Sequence, residues 1–469
     1  MVKIKVASLV CLLLFFAGPG RFLGAETVQK NVSELIGSAE YRQAYNRLLE
    51  KPVAAENLFL RGYLQFKTED YEGAEGYFRR VIEEYPDSER AADARYFIDR
   101  LNLYRPARRE APYIRVLLAE KNKISGVFTG RTLIKTNEEQ FHVSEGEKWE
   151  AISSSAGVEL VAAERGLEAE KILFIPAGAE LKYDGDSYRG EFNLVSEGGR
   201  VLLLNELPLD KYLYGVIKKE IAPGWPLEPV KAQAVAARSF AFYYLQQNEE
   251  EPYDLGATWL AQVYGGKDAE TEQVIEAVRT TRGEVLVYRG RVVPAYFHAN
   301  SGGYIETAED IWQGTRTDYI EPGPDTWSLQ AQHSFWRNDI PPGDINEALA
   351  AEELPEIEDF GSLKISRRLP SGRAVEFQYR DRSGNFWTVR ADKFRLAIGP
   401  EKLRSTWIDE IKVSSGSISF SGRGWGHGIG MSQWGAFRMG ERGKNYREIL
   451  EFYYSNAKLM GNYGFAATE

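Results

Sequence analysis

The stretch Asn205–Gln247, NELPLDKYLYGVIKKEIAPGWPLEPVKAQAVAARSFAFYYLQQ, constrains this chain more than any other. It encodes two helices with a break between them. Pro208 stands where a helix can begin, because its missing N–H is not needed in the first turn. Leu209, Tyr212, Leu213, Val216 and Ile217 recur at helical spacing and make one apolar stripe. Glu220 follows on the same stripe, whereas Lys218 and Lys219 point elsewhere. Pro223-Gly224 stops the helix. A second helix is predicted from Val230, with Ala232, Ala234, Ala236 and Ala237 letting a neighbour approach closely. A carboxylate on the apolar side of a helix end is costly when charged and unpaired. Burial also raises its pKa, which suits a carboxyl to general-acid work near neutral pH. The plain alternative is a glutamate that reaches solvent from a fraying last turn.

A chain of 469 residues exceeds one ordinary core and predicts two or three domains. Its formal net charge of −10 argues against nucleic acid as the main partner. The N-terminus, MVKIKVASLVCLLLFFAGPGRFLGA, has two lysines, a short apolar run and small residues before Glu26. It predicts a secretory signal peptide over 1–25, cleaved near Ala25, with no membrane anchor afterwards. Cys11, the one cysteine, lies inside that run, so the exported chain is expected to carry no disulfide and no cysteine metal site.

Residues 26–110 read as helical. In LFLRGYLQFKTEDYEGAEGYFRRVIEEYP, Gly62, Ala74, Phe78 and Pro86 fall at the offsets of a tetratricopeptide repeat. The aromatic expected three residues after Gly62 comes one place late, at Phe66. Ala44, Leu48 and Pro52 suggest half of a preceding unit, and Ser88–Leu101 the first helix of a following one. A generic helical hairpin is the alternative. The proline-marked, polar run at 104–112 reads as a linker. Strand signals follow, at 114–118, 171–176, 181–195 and 199–207. After the helix pair come Ala261–Gly266 (AQVYGG), a helix closing on Gly283, and a hairpin turning at Arg289-Gly290. Residues 322–400 mix loops and strands, with two hairpin-like strands and a short helix. Glycine then alternates at 422, 424, 426, 428 and 430. Such a loop permits positive φ and close approach by a ligand or another backbone. A phosphate cradle is disfavoured, because the P-loop lysine and the dinucleotide spacing are missing. A helix is expected from near Met431, and a last one over 446–454. The fold class expected is α+β: a β-rich domain with inserted helices over 111–469, preceded by a small all-α helical domain.

LPLDKYLYGVIKKEIAPGWPLEPVKAQAVAARSFA resembles the opening motif of the stage II sporulation protein D and amidase-enhancer family of cell-wall proteins. AQVYGG, the strand pair ending in FHANSGG, the region of Trp312, Asp318 and Tyr319, and GRGWGHGIGMSQWGA match further family motifs in order. The resemblance covers roughly 114–457, with its motif core at 203–436. It implies a lytic transglycosylase acting on peptidoglycan glycan strands, strands stripped of stem peptide among them, with Glu220 as catalytic residue. The motif positions Gln233, Arg238, Gln262, Tyr264, Ser301, Gly302, Gly303, Trp425, His427, Ser432 and Gln433 are the implied substrate contacts.

Several alternatives stay open at this stage. His427 either holds a tight turn or lines the cleft, and His298 and Ser301 share that ambiguity. A serine-protease site at Ser301 lacks the glycine-x-serine-x-glycine elbow. Trp225, Trp312, Trp425 and Trp434 are core residues or sugar platforms, the last two being better placed as platforms. Some family members hold a structural zinc through cysteines. This chain lacks them, and His142, His298, His333 and His427 have no zinc spacing, so neither metal nor cofactor is expected. Asp210 and Glu228 are candidate helpers for Glu220. The resemblance further implies export to the periplasm or wall of a bacterium, with other cell-wall proteins as partners of the helical region. A non-enzymatic wall binder that stimulates a separate hydrolase, and a scaffold working through the helical region, are the competing readings.

Overall fold

The computed structural model describes residues 41–464 apart from 50, 69–70, 105–110, 177, 223, 258–261, 313, 352–359 and 415, together with 32, 35 and 36. The expected signal peptide, Pro223, Ala261 and most of the linker lie outside the described residues. The chain divides into two compact units, 1–108 and 109–469.

Among its described residues the first unit stacks the helices α1 (Tyr41–Leu49), α2 (Ala55–Lys67), α3 (Tyr71–Glu84) and α4 (Glu89–Tyr104). The repeat spacing works as expected. A Cβ on Gly62 would lie 2.8 Å from the Phe78 ring, so only glycine lets α2 and α3 come this close. Ala74 and Phe78 are fully buried, and Phe78 stacks on Phe97 of α4. Phe66, the displaced aromatic, also packs edge-on against Phe97. Arg61 ties α2 to the end of α1 through the Leu48 and Lys51 carbonyls.

The second unit is α+β, as the sequence predicts. A seven-stranded sheet is centred on Tyr113–Lys121, Arg200–Pro208 and Glu191–Glu197, all antiparallel neighbours. A six-stranded sheet contains Lys123–Phe128, Lys148–Ser154 and Gly157–Ala162. Trp149, Phe128, Phe174 and Phe192 fill the core they share. Residues 201–205 are buried without alternation, as in a strand covered on both faces. That strand feeds directly into α5 (Leu209–Glu220), with Pro208 as cap residue and not as first helical residue.

Helix α6 (Leu227–Gln247) starts three residues earlier than the alanine run suggests. Pro229 is tolerated because it lies in the first turn, where its N–H has no partner to lose. Val230, Ala234, Ala237 and Ala241 pack into the core next to the sheets, and Ala232, Val235 and Ala236 into a second core. A helix apolar all round is a buried helix, and α6 is the axle of this unit. After it come α7 (Glu272–Thr280) and the hairpin Val285–Tyr288 with Arg291–Val292, turned at Arg289-Gly290 with positive φ at both.

The region expected to hold two hairpin-like strands has three, Phe360–Arg368, Ala374–Asp381 and Phe386–Arg390, with the helix Ala391–Ile398 packed on them. A further sheet, Phe335–Ile340 with Ile418–Arg423 and Ile408–Val413, delivers the glycine loop. Helices α8 (Gln433–Glu441) and α9 (Tyr446–Tyr453) close the unit.

Candidate active site

Leu209, Tyr212, Leu213, Val216 and Ile217 are fully buried, and Lys218 and Lys219 are exposed. The stripe therefore carries Glu220, the last residue of α5, to a half-buried position. Oε1 of Glu220 accepts the Val263 N–H at 3.2 Å, and Oε2 accepts Nε2 of Gln433 at 3.4 Å. Burial pushes the Glu220 pKa up, and these two donors oppose it in part.

The Val263 N–H is aimed by its own loop. The Gly265 N–H bonds the Gly215 carbonyl of α5, and a Cβ on Gly215 would strike the Tyr264 ring at 2.6 Å. Tyr264 is buried against Tyr212 and Tyr188 and donates to Asn205. Gln262 accepts from the Tyr212 hydroxyl and donates to the Ala237 carbonyl. These two expected contacts thus hold the loop that reaches Glu220.

The candidate helpers of Glu220 are engaged elsewhere. Asp210 pairs with Arg238 at 3.1 Å, and Glu228 with Lys231 at 2.8 Å and the Tyr446 N–H.

The glycine loop meets the Ser-Gly-Gly loop backbone to backbone. Asn300 and Trp425 exchange both N–H···O bonds, and the Gly302 N–H bonds Oδ1 of Asn300. Ser301 is fully buried and donates to Asp325, whose carboxyl also takes Ser328 and Tyr453. Ser432 caps α8 and accepts the Ser301 N–H. Gly302 and Gly303 both have positive φ in this turn. Arg238, fully buried, bonds Asp210, Thr281 and the carbonyls of Val278 and Glu284. The side-chain polar groups of Arg238, Ser301 and Ser432 are bonded inside the protein, and the Gly302 and Gly303 N–H groups bond Asn300 and Ser301. Gln233 is buried with neither amide atom partnered.

His427 accepts the Ile429 N–H at Nδ1, so its Nε2–H donates to the Phe297 carbonyl at 3.0 Å. Both nitrogens hold the turn, and burial pushes its pKa down to about 3. His298 bonds the Ile429 carbonyl, and its Nε2 is buried without a partner. Trp225 is buried against Trp434 and Phe437, and Trp312 leans on His427. Trp425 and Trp434 are half-buried. Among the described residues no cluster of three or more His, Cys, Asp or Glu has a metal-binding arrangement, and no helix is long and apolar enough to cross a membrane.

A family model described as Stage II sporulation protein matches residues 197–288. An uncharacterized protein of Brachyspira hyodysenteriae is 34% identical over 278 residues, 59% of this chain and 73% of that protein. The chain belongs to the stage II sporulation protein D family. The Stage II sporulation protein D of Bacillus subtilis is 27% identical over 55% of this chain and 75% of its own length. The Amidase enhancer of Bacillus subtilis is 28% identical over 53% of this chain, but only 40% of that protein is spanned. A Tetratricopeptide repeat model matches 56–88 in the helical unit, and a domain of unknown function matches 329–430. The family match takes in Glu220 and the Val263 loop. It ends before Ser301 and the glycine loop, which the fold brings to the same site.

Proposed function

We propose that this chain is an exported cell-wall enzyme, a peptidoglycan lytic transglycosylase in which Glu220 is first acid and then base. The observation that carries the reading is the Glu220 carboxyl, half-buried and raised in pKa, with Asp210 and Glu228 committed elsewhere. Two-carboxylate glycosidases need a second acid group across the bond. A lytic transglycosylase needs one. Protonated Glu220 gives its proton to the leaving glycosidic oxygen as the bond to C1 of N-acetylmuramic acid breaks. The carboxylate then takes the proton of that sugar's 6-hydroxyl as O6 bonds C1, and a 1,6-anhydro ring closes. Oε1 is held by a backbone N–H, so Oε2, with its longer contact to Gln433, is the oxygen suited to carry the proton.

The name of the Bacillus subtilis Amidase enhancer supports a second reading, a wall binder that stimulates another hydrolase. The repeat in the first unit suits other wall proteins as its partners. Incubating the purified chain with intact and peptide-free glycan, followed by mass analysis, separates the two. Anhydro-muramic products support the enzyme, and their absence from every glycan favours the binder.

A further inference from the structure

Asp325 is fully buried, and four donors converge on its carboxyl. The Ser301 hydroxyl reaches Oδ2 at 2.7 Å, and the Ser328 hydroxyl bonds the same oxygen. The Ser328 N–H reaches Oδ1 at 3.2 Å, and the Tyr453 hydroxyl lies 3.3 Å from Oδ2. An ionised carboxyl offers about four acceptor sites, so this set of donors fits the charged form. Burial pushes the Asp325 pKa up, and the donors oppose it. They come from three elements: the Ser-Gly-Gly loop, the short helical turn that Asp325 caps, and α9.

The protons can be assigned one by one. Ser328 Oγ touches both Asp325 and Ser432 Oγ, the latter at 2.7 Å, with one proton to give. The carboxylate has none, so Ser328 donates to Asp325 and accepts from Ser432. Ser432 has then spent its proton, and its lone pairs take the N–H groups of Ser301 and Gly435. Ser432 caps α8, and the next residue is Gln433, the donor to Glu220. One line of contacts therefore runs from Asp325 through Ser328 and Ser432 to Gln433 and ends on Glu220.

The start of α8 is held on two sides. Met431 and Ser432 pair with Phe297 and His298, and the Trp434 N–H bonds the Ala299 carbonyl, which sets where the chain enters the helix. On the other side Gly435 rests on the polar cluster. A Cβ there would strike the Tyr453 hydroxyl and lie 2.8 Å from Ser328 Oγ and 3.2 Å from Oδ2 of Asp325. That seat sets the direction of the helix. The contact from Gln433 to Glu220 is 3.4 Å, long for a hydrogen bond, so a small tilt of α8 ends it.

We propose that Asp325 is a positioning residue for the cleavage reaction: through Ser328 and Ser432 it aims α8 so that Gln433 meets Glu220. This rests on the glycan-cleaving function proposed above. A donor to a carboxylate favours the charged form, so Gln433 holds the Glu220 pKa lower than burial alone would. Releasing Gln433 raises it, and the acid form then persists to higher pH. Tyr212, which faces Glu220 from its own helix, stays neutral, because burial pushes its pKa well up.

The test follows Glu220 itself, by carbon NMR of protein labelled at the glutamate carboxyls, with Glu220→Gln identifying its signal. It needs no glycan. Asp325→Ala and Gln433→Leu are each expected to raise the Glu220 pKa by the same amount, and the double variant by no more than either. Asp325→Asn, whose amide can donate to the oxygens of Ser301 and Ser328, is expected to titrate closer to the parent than Asp325→Ala does. Ser328→Ala cuts the line and leaves Asp325 its other donors. It is also expected to raise the pKa, and it carries the test if Asp325→Ala does not fold. In the product assay the fall of turnover at high pH should move to higher pH in the same variants. A Glu220 titration unchanged in folded Asp325→Ala or Ser328→Ala, however large the loss of stability, overturns the proposal. So do shifts that add in the double variant, and a Gln433→Leu protein that titrates with the parent. Failure of the anhydro-product assay would overturn the enzymatic reading and leave the titration comparison intact.

Discussion

Glu220→Gln is the perturbation with the clearest expectation. Glutamine keeps the shape, and its carbonyl oxygen can still accept the Val263 N–H. Its amide would face Nε2 of Gln433 across the present 3.4 Å contact, donor against donor. Turning the Gln433 amide over presents its oxygen and restores the pair, so the fold should survive. Proton exchange cannot survive, and a general acid–base group contributes about 10² to 10⁴ in rate. At 1.36 kcal/mol per factor of ten, that is about 2.7–5.4 kcal/mol of barrier. Burial raises the folded-state pKa of Glu220 above its unfolded value. Ionisation therefore works against folding. The penalty is absent below the ordinary glutamate value of about 4.3, grows as pH rises through the folded pKa, and is constant above it. The variant should melt at or above the parent at pH 7, with the advantage fading below about pH 4. Parent turnover should fall as pH rises through the raised pKa, because the acid form starts the reaction. The assays are mass analysis of anhydro products and paired melts across pH. Parent-rate release of 1,6-anhydro sugars by the variant would refute the catalytic assignment. A variant that melts well below the parent at pH 7 would refute the electrostatic argument.

Three further outcomes follow from particular contacts. Arg238→Met leaves Asp210 with Arg282 at 3.6 Å but removes the donor from the Val278 and Glu284 carbonyls, so it should cost about 1–3 kcal/mol for each carbonyl left unpaired in a denaturant melt. An unchanged melt with raised KM would return Arg238 to the substrate. His427→Ala removes two hydrogen bonds, worth about 2 kcal/mol together, while turnover per folded molecule stays near the parent's. The folded state keeps His427 neutral, which favours folding above about pH 6.5 and is lost as pH falls towards about 3. The parent's stability should thus decline over that interval more steeply than the variant's. Residues 109–469 expressed alone should unfold in one cooperative transition, and an insoluble or non-cooperative product would place the domain boundary elsewhere.

What adjacent residues write, the sequence by itself determined. The helix ending at Glu220 followed from a 3.6-residue period. The close pairing of α2 and α3 followed from Gly62 and Phe78 at repeat spacing. The tight hairpin followed from Arg289-Gly290, both at positive φ. Strands between 132 and 169 were missed, because each is only four to seven residues long and gains stability from partners brought in by the sheets. Tertiary structure alone decided what surrounds Glu220. Val263 lies 43 residues away in the chain and Gln433 lies 213 away. It also decided that Arg238 and Ser301, plausible as binding groups in a motif, satisfy buried partners instead, and that His333, in no motif at all, stands between two indoles. Periodicity and turn chemistry act over a few bonds and can be read in order. Burial and hydrogen-bond satisfaction act through space, and they assign a side chain its task only once the fold has chosen its neighbours.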